Sequence, residues 1–234
     1  MFIKICGITD AEDALVAAGL GANAVGLVFA ASSRRVSTGV AADVVRRLPP
    51  EVTAVGVFSG ESRERILDIA SSVGLTAVQI HGSGPAEDTQ WLSERIPVVI
   101  RAFSVHDAGL KNWADYGASR IHIDSVNPGG GKTFDWNLLN QMPIGHDCIL
   151  AGGLNPQNVG DAIQQVGPWG VDVSSGVESA PGRKDAVKMR HFVAAARQHG
   201  GELQGGLDTI KLGSQINETD TGSARTKPFN WEED

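Results

Sequence analysis

The chain has 234 residues, 41% hydrophobic and 20% charged, enough apolar content to bury the core of one large or two small domains. Its formal charge of -7, with no stripe of clustered Lys and Arg, excludes a nucleic-acid binder, because phosphate backbones attract concentrated positive charge. No run of about 18 apolar residues and no charged-then-apolar N-terminal pattern occurs, so a soluble cytoplasmic protein with no membrane contact is expected, and its two cysteines fit a reducing compartment better than a disulfide framework.

Phe2 to Ile5 reads as a short apolar strand, and Thr9 with Glu12 forms a capping-box pattern before a helical run through Leu20. Cys6 and Gly7 then lie in the turn between them. A thiol at such a junction can meet a substrate, although a free cysteine is more often a small buried apolar residue. The same unit recurs along the chain. Further strands are expected over Ala24 to Phe29, Thr53 to Phe58, Ala77 to His81, Val98 to Phe103, Arg120 to Asp124, Cys148 to Ala151 and Gly170 to Val173. Helices are expected over Ala41 to Leu48, Arg63 to Val73, Thr89 to Arg95 and Arg183 to Gln198.

These strands are apolar on both faces, as a parallel sheet with a packed interior and covering helices requires. Strict βα alternation over about 200 residues predicts an α/β fold, a single (βα)8 TIM barrel spanning residues 1–199. The runner-up is an open doubly wound sheet, but it wants a dinucleotide fingerprint after the first strand, and Cys6-Gly7-Ile8-Thr9 is not one.

Barrel active sites gather at the C-terminal strand ends and the loops that follow them. Cys6, the Ser32-Ser33-Arg34-Arg35 stretch, His81, Asp124 and Asp172 fall there, although polar residues at strand ends also cap helices and satisfy loops. The last two loops are more specific. Ala151-Gly152-Gly153-Leu154-Asn155-Pro156 has glycines that let backbone N–H groups approach an anion, with Asn155 as N-cap and Pro156 as first helical residue. Ser174-Ser175-Gly176 offers a second set of small residues with N–H and hydroxyl donors, which together predict a phosphate site.

Lys4-Ile5-Cys6-Gly7-Ile8-Thr9, Val78-Gln79-Ile80-His81-Gly82, Ala151 to Pro156 and Asp172-Val173-Ser174-Ser175-Gly176-Val177-Glu178 occur together in this order. In them the chain resembles the phosphoribosylanthranilate isomerase family of tryptophan biosynthesis, over residues 1 to about 198. The resemblance implies an Amadori rearrangement of N-(5-phosphoribosyl)anthranilate to 1-(2-carboxyphenylamino)-1-deoxy-D-ribulose 5-phosphate, with no metal or organic cofactor. It also implies Cys6 as general base, Asp124 as general acid and Arg34 as the contact for the anthranilate carboxylate. Gly152, Gly153, Ser174, Ser175 and Gly176 would hold the phosphate, Asp172 would face the ribose hydroxyls or the rearranging atoms, and His81 would be a secondary substrate contact or a loop stabiliser. Arg34 is expected across the barrel mouth from the phosphate loops, so that the two anchors fix the ends of the sugar.

The residue types suit this chemistry. Opening an aminoribose needs a proton on the ring oxygen, which Asp124 can donate only if its pKa rises above about 3.9, as burial near Asp172 would cause. Taking the C2′ proton needs the Cys6 thiolate, which from a reference pKa of about 8.5 calls for a positive local potential. The alternatives are another phosphosugar barrel enzyme or a non-catalytic barrel that binds a phosphorylated ligand. Indole-glycerol phosphate synthase wants strand-end lysines and the histidine-pathway isomerase wants an aspartate where Cys6 stands.

Three features depart from the pattern or lie outside it. Ser33 stands where the family usually has proline, so Arg35 competes with Arg34 for the carboxylate. Asn127 to Phe134 is a short glycine-rich loop, expected to act as a mobile lid. Its Gly131-Lys132-Thr133 ending mimics a nucleotide P-loop, but Val126 occupies the position that needs the first glycine. Residues 200–234 drop the βα rhythm and carry seven acidic against three basic residues, which predicts a polar acidic tail. Scattered Leu203, Leu207, Ile210, Leu212, Phe229 and Trp231 leave room for a linker or a docking segment for other enzymes of the pathway.

Overall fold

The computed structural model describes residues 1–82, 84–125, 133–139 and 148–200. The glycine-rich loop at 126–132 and the tail beyond Gly200 lie outside the described residues. Eight parallel strands close into a barrel in sequence order: β1 (Phe2–Cys6), β2 (Ala24–Val28), β3 (Thr53–Ser59), β4 (Ala77–His81), β5 (Val98–Ser104), β6 (Arg120–Asp124), β7 (Cys148–Leu150) and β8 (Gly170–Val173). The ring shuts where β8 pairs with β1, Lys4 standing opposite Asp172. Each expected strand is present to within a residue at its ends, and the open sheet is excluded. Among the described residues no helix is long and apolar enough to cross a membrane.

The strands build two apolar layers because alternate side chains point to opposite faces. Outward residues such as Ile3, Ile5, Val25 and Leu27 join the helices in one large core. Inside the barrel, Phe2, Ala24, Val55, Ala77, Val98, Ile100 and Ile149 plug the N-terminal end, with Trp169 stacked on Phe2 at 4.5 Å. Higher up the interior turns polar: Lys4, Gln79, His122, Asp124 and Asp172 are all buried.

Helix ends differ from the sequence reading where a cap was misjudged. Asp10, not Thr9, caps α1 (Ala11–Gly19), its carboxylate accepting from Asp13 N at 2.8 Å, while the Thr9 hydroxyl donates to Gly182 O at 2.7 Å. Ser37 caps α2 (Thr38–Arg47) and so starts it ahead of Ala41. α3 spans Arg63–Val73, as expected, with Ser62 as its cap, and α4 (Ala86–Ser93) begins after Pro85 with Glu87 and Asp88 in its first turn. The β5–β6 connection is a 3-10 segment, Ala108–Tyr116. After β6, Asp135 and Trp136 open a short 3-10 turn, the indole packed on the outer core.

The largest difference follows β8. Arg183 and Lys184 do not start the final helix but form β10 (Arg183–Lys184), paired antiparallel with β9 (Glu178–Ala180) around Pro181-Gly182. Gly182 has φ +78°, which suits a proline-glycine turn. Asp185 then accepts from Val187 N and Lys188 N and so caps α6 (Ala186–Gly200), while α5 (Val159–Val166) buries Val159, Ala162 and Ile163 in the outer core.

Candidate active site

A cavity of about 250 Å³ opens at the C-terminal end of the barrel. Cys6, Arg34, His81, Asp124, Gly152, Gly153, Asp172, Ser174 and Ser175 all line it. Gly176 does not. A Cβ on Gly176 would sit 2.0 Å from Leu154 O, so this glycine allows the turn after β8 to pack under the loop after β7.

The floor is a buried charge network. Lys4 Nζ and His122 Nε2 both reach Asp172 Oδ2, at 2.9 and 2.8 Å, with all three side chains almost fully buried. Burial alone would raise the Asp172 pKa, but the Lys4 charge and the His122 hydrogen bond overcome it and hold the carboxyl well below the usual carboxylate range. Burial opposes the Lys4 charge too, and Asp172 and Cys6 outweigh it, raising the ammonium pKa. Asp172 Oδ1 and His122 Nδ1 have no hydrogen-bond partner among the described residues, although buried polar atoms normally find one.

Cys6 ends β1 on the same face as Lys4 and is 8% exposed. A Cβ on Gly26 of the neighbouring strand would lie 2.6 Å from its sulfur, so the thiol occupies space that only glycine leaves open. The expected positive surroundings exist in Lys4 and Lys184, but burial exceeds their pull and the thiol pKa is raised. Asp124 ends β6, with β7 and β8 between it and Cys6 around the ring. Burial raises its pKa as anticipated, with Asp172 adding to the effect, while His122 and the Ser125 N–H at 2.7 Å oppose it. The two groups therefore titrate above their ordinary values on one cavity.

Arg34 is half-buried and lines the cavity, whereas Arg35 is exposed. The Arg34 side chain stands beside Ser174 rather than across the mouth from it. The stem passes over Gly7, where a Cβ would be 2.4 Å from Arg34 Cδ and 2.9 Å from Ser174 Oγ, and the guanidinium meets Glu178. Nε donates to Oε1 at 2.7 Å and Nη2 to Oε2 at 2.9 Å. Lys184 Nζ donates to the same Oε1 at 2.8 Å and to Ser174 O at 3.2 Å. Burial would raise the Glu178 carboxyl, but these cations hold it below its ordinary pKa.

In the loop after β7, Gly152 and Gly153 have φ +84° and +67°, left-handed conformations that glycine adopts freely. Asn155 Oδ1 accepts from Gln157 N and Asn158 N and so caps only a turn ahead of α5; the helix itself has Asn158, not Asn155, as N-cap and starts at Val159, not Pro156. Ser174 precedes a 3-10 turn, Ser175–Val177, so both loops present the start of a helical turn at the mouth. His81 bonds Gln79, and burial with the nearby His122 and Lys4 charges lowers its pKa to about 3, leaving a neutral ring.

Lys4, His122, Glu178 and Lys184 belong to this site and escaped the sequence reading. For Lys4 and His122 the available signal was a charge or imidazole inside a strand buried on both faces, since such a group must find a partner.

The family model for N-(5'phosphoribosyl)anthranilate (PRA) isomerase matches residues 3–195. The N-(5'-phosphoribosyl)anthranilate isomerase of Desulforudis audaxviator is 43% identical over 203 residues, 84% of this chain and 98% of that protein. The crystal structure of phosphoribosyl anthranilate isomerase from Thermotoga maritima superposes with a TM-score of 0.78 at 44% identity, covering 85% of this chain and 99% of that one. A crystal structure of a phosphoribosyl anthranilate isomerase in complex with reduced 1-(o-carboxyphenylamino)-1-deoxyribulose 5-phosphate gives a TM-score of 0.75 at 42% identity, covering 85% of this chain and 99% of that one.

Proposed function

Because the chain belongs to the N-(5'-phosphoribosyl)anthranilate isomerase family, we propose that its barrel mouth converts this phosphoribosyl substrate to the 1-deoxyribulose 5-phosphate product with Asp124 as acid and Cys6 as base. The chain is an isomerase of tryptophan biosynthesis, and we place it in the cytoplasm. One observation carries the assignment: a buried carboxyl and a buried thiol line one cavity from strands three apart around the ring, with two glycine and serine turns at its edge.

In the first step Asp124 gives its proton to the ring oxygen as C1′–O breaks, and the amine lone pair forms a C1′ iminium. The Cys6 thiolate then removes the proton from C2′, and the freed electron pair forms C1′=C2′ while neutralising the iminium. Protonation at C1′ and loss of the C2′ hydroxyl proton give the ketone. The iminium charge beside Cys6 adds to Lys4 and Lys184 when the thiolate is needed. Asp172, which lines the cavity, suits a ribose hydroxyl donor. Gly152, Gly153, Ser174 and Ser175 suit the phosphate, with Gly176 supporting their packing, and Arg34 suits the anthranilate carboxylate. His81, as a neutral ring, is a hydrogen-bonding neighbour of the sugar. Contact with other enzymes of the pathway through residues 200–234 is a separate proposal that rests on the scattered apolar residues of that segment.

Purified protein added to N-(5'-phosphoribosyl)anthranilate generated in situ is expected to abolish anthranilate-type fluorescence far faster than the spontaneous rate. Decay at the spontaneous rate would leave only a phosphate-binding barrel.

A further inference from the structure

Arg34 meets Glu178 through its Nε and Nη2 atoms, the side edge of the guanidinium. Among the described residues its end edge, from which Nη1 and Nη2 project parallel N–H groups, stays available for a second carboxylate. Glu178 is 8% exposed and rigidly placed: it begins β9, its backbone carbonyl accepts from Lys188 Nζ at 2.7 Å, and its Oε1 is shared with Lys184. Lys184 also bonds Ser174 O, in the loop assigned to the phosphate.

Building on the role proposed for Arg34, we infer that Glu178 is a positioning residue for the carboxylate end of the substrate. It grips the side edge of Arg34 so that the end edge faces the cavity, while Ser174 keeps its own bond from Lys184. An untethered arginine has several rotatable bonds to freeze on each binding event, and the Glu178 clamp removes that loss before substrate arrives. Nothing in this scheme requires Glu178 to touch the reacting atoms.

The test compares the anthranilate substrate with its carboxylate-free counterpart, N-(5'-phosphoribosyl)aniline, following product by chromatography in wild type, Glu178→Gln and Glu178→Asp. Wild type should prefer the anthranilate substrate. In Glu178→Gln, KM for the anthranilate substrate should rise about ten- to a hundredfold with kcat little changed, while kcat/KM on the aniline compound stays within about threefold of wild type. Glu178→Asp, which keeps the charge on a shorter arm, should lose part of the preference and covers the case in which the glutamine variant folds poorly. An equal fall on both compounds would mean a structural role and overturn the inference while leaving Arg34 its carboxylate. Wild type that does not distinguish the compounds would overturn the Arg34 assignment itself, and the inference with it.

Discussion

Cys6→Ala is expected to lower kcat by about a hundred- to ten-thousandfold, the range that positioned proton transfer contributes, with little change in affinity for the reduced product analogue. The separation between rate and binding follows from the location of the thiol. Cys6 sits at the end of β1 among Gly26, Lys4 and Asp172, deep in the mouth, whereas the groups assigned to the two anionic ends of the substrate lie in the loops above. The substitution removes only one buried atom beyond Cβ, so its packing cost is small compared with loss of the base. Stopped-flow fluorescence at saturating substrate measures the rate, and calorimetric titration with the analogue measures the binding. A kcat within a few fold of wild type would move the base elsewhere.

Lys4→Met should destabilise the fold by about 3–5 kcal/mol, because breaking a buried ion pair leaves an uncompensated charge. The remaining charge is Asp172, whose only described partner would then be His122. The Asp172 carboxyl titrates below its unfolded value in the folded protein, so its contribution is present above about pH 3.9 and is lost as pH falls through the folded value. The Lys4 ammonium titrates above its unfolded value, so its contribution is complete below about pH 10.4. Neutral pH lies inside both windows, and urea denaturation there should register the full loss. A loss under about 1 kcal/mol would show that His122 alone balances Asp172, against the network described. The same substitution removes a charge that draws the Cys6 pKa down, so kcat should fall as well.

The strands and the rim were legible because a parallel barrel writes itself as repeated apolar runs with small or polar residues at their C-terminal ends. Cys6, Asp124, Ser174 and the Gly152-Gly153 turn could be located from position alone. The Lys4–Asp172 pair could not, since it depends on the register with which β8 closes onto β1, a relation between residues 168 apart. Lys4 in the middle of Phe2–Cys6 was nonetheless visible as a charge with nowhere to go but inward. The Arg34–Glu178 clamp was hidden for another reason. Arg183 and Lys184 carry a helix-compatible composition, and only the Pro181-Gly182 turn shows that the chain doubles back first, bringing Lys184 beside Glu178 and Glu178 beneath Arg34.

Burial raises both Asp124 and Cys6, so the catalytic form, with Asp124 protonated and Cys6 ionised, holds the same number of protons as a resting form with the charges reversed. The rate should therefore be flat between two inflections, bending down on the acid side at the Asp124 pKa and on the alkaline side at the Cys6 pKa. The decisive measurement is the pH profile of kcat for wild type and Asp124→Asn with the same substrate, so that titration of the substrate is common to both. For the acid–base pair proposed here, Asp124→Asn should be slow, with a rate that climbs with pH to the Cys6 inflection and does not fall beyond it. An Asp124→Asn profile with the same two bends as wild type would contradict the assignment of Asp124 as the acid.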